Sequence, residues 1–156
     1  MKITEAFIGE HAVLYPQLGS LERAAPTYAT AGEARAQAAI LTAVIKSHAA
    51  LEEELLFVEM ESLPEAAGPI EVMRAEHIDI EASLARACES DDLEEATDLL
   101  LHVVDVARPH FAKEEDVLFP LAEQLLDEGT LLELGDRWSG RRLGGAARSG
   151  VAFTGA

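Results

Sequence analysis

A histidine with a glutamate four residues later, running into a leucine–phenylalanine pair, occurs twice in this chain, from His48 to Phe57 and from His110 to Phe119. Laid over each other, Glu52 and Glu53 fall on Glu114 and Glu115, and Leu56 and Phe57 on Leu118 and Phe119. A repeat that keeps both its polar and its apolar positions reads as a duplicated unit. On a helix, residues four apart lie one above the other on the same face, about 6 Å along the axis. That spacing is within reach of one or two metal ions. A single such pair also arises by chance on any wet helical face, so the duplication carries the signal.

The rest of the chain supplies partners for the motif. His11 sits between Phe7 and Leu14 on the apolar stripe of a first helix, and His77 sits between Met73 and Ile80 on that of a third. A helix with one core-facing histidine followed by a helix with the His-Glu pair therefore occurs twice, at spacings of 37 and 33 residues. The fold class is expected to be all-α, an antiparallel up-down-up-down four-helix bundle whose two halves pack about a pseudo-twofold axis. Thr4, Thr30, Gly68 with Pro69, and Asp92 read as the helix starts, and Pro16 and Pro109 as kinks. Thr130 opens a short fifth helix to about Trp138, making residues 1–138 one domain. Residues 139–156, rich in Gly, Ser, Ala and Arg, read as a mobile tail.

Charge narrows the function. The net charge is −17, nothing acidic follows Asp136, and Arg137, Arg141, Arg142 and Arg148 do. An acidic body of this kind repels nucleic acid and anionic membranes and attracts cations. Aromatic residues, at 5%, are too sparse for a base-stacking surface. With one cysteine, Cys88, no internal disulfide can form, and no apolar run approaches a membrane span, so a soluble cytoplasmic protein is expected.

Four histidines and two glutamates left unsatisfied among Leu, Val and Ile would cost many kcal/mol. Hydrogen-bonded His-Glu pairs can offset part of that cost. Imidazole and carboxylate together suit iron, manganese or zinc, and two carboxylates in one layer suit bridging two ions. Such a set fills about ten of the twelve positions of two six-coordinate ions once a bridging oxygen is added. Glu53, Glu54 and Glu115 are turned away from the layer and read as surface charge. Glu81 and Tyr15, each four residues after a histidine, are candidates for an outer or extra ligand. His102 lies two turns before His110 and is expected to take no part.

At these residues the sequence resembles the hemerythrin-like, HHE cation-binding family, from about Phe7 to Gln124. The resemblance implies a non-haem di-iron (Fe–O–Fe) site at His11, His48, Glu52, His77, His110 and Glu114. It implies a small gaseous or peroxide ligand, with family activities covering oxygen binding, nitric oxide or peroxide chemistry, sensing and iron supply. Oxygen-carrying members use a fifth histidine, and helix three here has His77 with no second histidine a turn away. A ferritin-like iron oxidase or storage protein, whose motif is ExxH, and a zinc-binding or metal-free bundle are the alternatives.

Overall fold

The computed structural model describes residues 1–147, and among them every regular element is helical. α1 is Ile3–Ala24, followed by a 3-10 turn at Ala25–Thr27. α2 starts at Ala31 and reaches Met60, and α3 is Pro64–Glu89. α4 starts at Leu93 and reaches Leu125, and α5 is Glu128–Ala147. No helix among the described residues is long and apolar enough to cross a membrane.

Two of the expected starts hold. Thr30 accepts the Glu33 N–H at 3.3 Å, and Asp92 accepts that of Glu95 at 3.1 Å, so each side chain satisfies one orphan donor of its helix. Others move. α1 starts a residue before Thr4, which is buried and donates its hydroxyl to Glu123 at 2.7 Å. Pro64, not Pro69, takes the first position of α3, leaving Pro69 inside the helix. α1 and α4 continue through Pro16 and Pro109, so neither proline ends its helix. α5 is capped by Asp127, which accepts the Thr130 N–H at 3.0 Å, and it runs well past Trp138. The expected tail is therefore helical as far as Ala147, and residues 148–156 lie outside the described residues.

The larger departure is inside α2 and α4. Each widens into a π turn that begins at the glutamate of the repeated motif, over Glu52–Phe57 and over Glu114–Leu118. The Phe119 N–H reaches back five residues to the Glu114 carbonyl. A π turn costs helical regularity and tends to sit at functional sites, where it re-aims side chains. In α2 it lets Leu55, Leu56 and Phe57 all be buried in succession while Glu52 also points inward. Pro120 follows in the first turn of the resumed α-helix, where its missing N–H costs least.

Two apolar clusters form the core. One gathers Leu14, Ile45, Ile80, Val103 and Phe111; the other gathers Phe7, Leu55, Met73, Leu118 and Phe119. α1 passes from the second cluster to the first between Phe7 and Leu14, α2 returns between Ile45 and Leu51, and α3 and α4 repeat the alternation. His11, His48 and His77 sit at the crossings and in α4 Glu114 does, one turn after His110, so the polar layer is held between two apolar slabs. α5 adds Leu131 and Leu134 to the second cluster and packs on the start of α1. Gly135 permits that approach, since a Cβ there would clash with the Met1 carbonyl oxygen.

A candidate metal centre

The six residues singled out by the repeat meet in one buried layer. Two sets of ligand atoms can each hold an ion, one from His11, His48, Glu52 and Glu114, the other from His77, His110, Glu52 and Glu114. The two glutamates belong to both. Glu52 turns Oε1 to His48 Nε2 at 3.3 Å and Oε2 to His77 Nε2 at 3.4 Å. Glu114 turns Oε1 to His110 Nε2 and Oε2 to His11 Nε2, each at 3.3 Å. Each carboxylate therefore spans the two sets, one oxygen to each.

Nothing among the described residues satisfies these atoms. Both oxygens of Glu52 and of Glu114, with Nε2 of His77 and of His110, are buried without a hydrogen-bond partner. Six such atoms in one place are far outside what folded proteins tolerate, each costing about 1–3 kcal/mol and more when charged. On the other side, Nε2 of His11 and of His48 lie 3.1 Å apart. Both Nδ1 atoms face acceptor carboxylates, so in the neutral rings two lone pairs point at each other, an arrangement that a cation resolves.

Outside the layer, three more carboxylates fix the rings. His48 Nδ1–H donates to Glu10 at 2.7 Å, His11 Nδ1–H to Glu115 at 2.9 Å, and His110 Nδ1–H to Glu76 at 2.9 Å. A carboxylate on the far nitrogen fixes tautomer and orientation and makes Nε2 a better ligand. Sequence reasoning missed all three and assigned Glu115 to the surface. A signal existed: a glutamate directly precedes the histidine on both odd helices, as Glu10-His11 and Glu76-His77, and serves the histidine of the helix that follows. The duplication would give His77 the same partner from Glu53, the counterpart of Glu115. Arg74 takes Glu53 instead, with Nε at 2.8 Å, and the His77 ring stacks on that of Phe57, 5.9 Å away.

The remaining candidates lie apart. Glu81 is 3.5 Å from Lys46 on the surface, and neither set includes it. Tyr15 stands edge-on to His11 at 6.3 Å and to Phe111 at 5.6 Å. Its hydroxyl bonds none of the six residues. Burial, with the charges of Glu115, Asp116 and Glu114, holds the phenol above its ordinary pKa, which disfavours a phenolate. His102 is on the surface with Asp79 at 3.0 Å.

The model of the hemerythrin HHE cation-binding domain matches residues 2–122. The chain belongs to that family. The match covers α1 to α4 almost entirely and decides against a ferritin-like assignment. No curated protein and no solved structure matches the chain. In this hemerythrin domain the repeated His-Glu motif, the two histidines of the odd helices and the unsatisfied layer are one feature, and the layer's donor set fits metal ions.

Protons compete for that layer. Burial pushes the Glu114 carboxyl well above its usual range, and the neighbouring Glu52 carboxylate adds to this. His48 is raised as well, because Glu52 and then Glu10 outweigh the burial that opposes them. Both groups thus hold protons in the metal-free protein at pH values where free side chains have begun to lose them, and a cation must displace those protons. Apparent metal affinity should therefore rise with pH, with protons released on binding. Titration calorimetry in two buffers of different ionisation enthalpy would show this, and a buffer-independent heat would contradict it.

Proposed function

We propose that this chain is a non-haem di-iron protein of the hemerythrin type. Its α1–α4 form an up-down-up-down bundle in which His11 and His48 would hold one ion, His77 and His110 the other, and Glu52 and Glu114 would serve both. The centre binds or reacts with a small molecule (O2, NO or peroxide) in cytoplasmic sensing, iron handling or stress response. The observation that carries this reading is that the two buried carboxylates each face two histidines, with no other partner among the described residues.

Two iron ions held there would supply redox and Lewis-acid chemistry toward a small oxidant or diatomic. The chain itself does the rest. Glu10, Glu76 and Glu115 keep a proton on Nδ1 of three histidines and leave Nε2 free to bind. Phe111 and Phe119 stack on His11, at 4.3 and 5.7 Å, and with Phe57 on His77 they exclude bulk water from the layer. With two nitrogens and two oxygens from the chain, each ion would keep about two of six positions, one of them for a shared oxygen and the other for a small molecule. Cavities of about 400 Å³ beside His48 and about 320 Å³ beside His77 bring solvent close to either set.

Metal analysis of the purified protein, with absorption spectra in air and after anaerobic reduction, tests the reading. Two irons per chain are expected, with ferric charge-transfer bands that bleach on reduction and change with nitric oxide or peroxide. A colourless protein carrying zinc, or no metal, would contradict it.

A further inference from the structure

The helix that lies beyond the family match is connected to the metal layer. α5 begins at Glu128, after the last matched residue, and two of its side chains converge on Glu10 of α1. Trp138 Nε1–H donates to Glu10 Oε1 at 2.7 Å, and Arg142 Nε–H donates to the same oxygen at 2.7 Å. The other oxygen, Oε2, accepts His48 Nδ1–H at 2.7 Å. One carboxylate thus spends one oxygen on α5 and the other on a histidine whose Nε2 faces the layer. Glu10 is 14% exposed, so water does little to dilute that coupling.

Arg142 also donates to Ser47 Oγ at 2.5 Å, one residue before His48. The contact is one-sided. The carboxylate on His110, Glu76, takes its second donor from Lys113 of α4, and Glu115 on His11 is likewise outside α5. α5 is held elsewhere by Arg141 with Glu54 at 2.8 Å and by the buried Leu131 and Leu134.

We propose that docking of α5 and occupancy of the His11/His48 metal position are coupled through Glu10, which makes α5 a metal-responsive element. This rests on the reading of the six residues as ligands. With Nε2 of His48 taken up by a cation, the ring proton would be confined to Nδ1 and strengthened as a donor, which would hold Glu10 where Trp138 and Arg142 meet it. In the other direction, the two α5 donors fix Glu10, and Glu10 fixes the His48 ring. Linkage requires both effects to be equal, so whatever α5 adds to the affinity of that ion, the ion adds to the docking of α5. Trp138 and Arg142 are positioning residues, and the ion held by His77 and His110 should be indifferent to them.

The test uses the full chain, loaded with ferrous iron without air and titrated against a competing chelator. In the Trp138→Phe/Arg142→Gln double variant, one ion should weaken about tenfold, the usual scale for loss of an outer hydrogen bond, and the other by less than about twofold. Hydrogen–deuterium exchange supplies a readout independent of iron chemistry. In the parent, peptides from 128–147 should exchange faster after chelation, while peptides from 70–89 report whether the bundle stays folded. A Glu10→Gln variant should show fast exchange in α5 with or without metal. Equal weakening of both ions would mean that α5 only supports the fold, and unchanged affinities or metal-independent exchange of α5 would also overturn the coupling. A parent that takes up no metal would overturn the ligand reading as well, whereas a parent with two ions and neither effect overturns the coupling alone.

Discussion

Glu114→Ala should cost the protein both ions, while His110→Ala should cost it one. The difference follows from the way the carboxylates are shared. Glu114 faces His11 with one oxygen and His110 with the other, so its removal takes a charged ligand from each set. Breaking one partner out of a buried charged arrangement costs about 3–5 kcal/mol, roughly a hundred- to several-thousand-fold in affinity. His110 serves one set only, and its loss leaves His11, His48 and both carboxylates in place. Metal counts per chain at matched free iron would distinguish the two variants. Equal losses in both, or two ions retained by Glu114→Ala, would refute the shared arrangement.

The second large effect is on stability. Ions present at a thousandfold over their dissociation constants stabilise by about 4 kcal/mol each. For a chain of this size each kcal/mol shifts the midpoint by roughly 3 °C, so stripping both should lower it by on the order of 20 °C. What remains is a layer in which Glu114 is driven to hold a proton beside the Glu52 carboxylate, with no cation to compensate the buried charge. Replacing both, as Glu52→Gln/Glu114→Gln, removes that cost. The double variant should then melt above the stripped parent and below the loaded one, although it binds no metal. Thermal melts of the three samples test this order. A stripped parent that melts within a few degrees of the loaded protein would contradict it.

The inner layer was legible because its signal is periodic. His11, His48, His77 and His110 stand where the helical stripe demands an apolar residue, and a duplicated Glu follows two of them. Composition and spacing carry that much without any tertiary information. The π turns were not legible, since nothing in Glu52–Phe57 or Glu114–Leu118 breaks α-helical propensity; packing of the layer selects them over a regular helix. Glu115 was misplaced for the same reason, as a regular helix turns it away from the layer and the widened turn brings it to His11. The arginines of the C-terminal segment read as loose charge, yet Arg141 and Arg142 find Glu54 and Glu10 once α5 is laid against α1. Pairings of that kind are long-range, and local sequence does not encode them. Arg74 likewise takes Glu53 from His77, breaking the symmetry that the repeat suggests.

Two ions should share Glu52 and Glu114 while the four histidines divide two and two. Anomalous diffraction at the iron edge from crystals of the loaded protein tests it most directly. Two iron peaks are expected, one bonded to Nε2 of His11 and His48 and the other to Nε2 of His77 and His110, with Glu52 and Glu114 each reaching both. A single peak, or iron bound away from these six residues, would contradict the account.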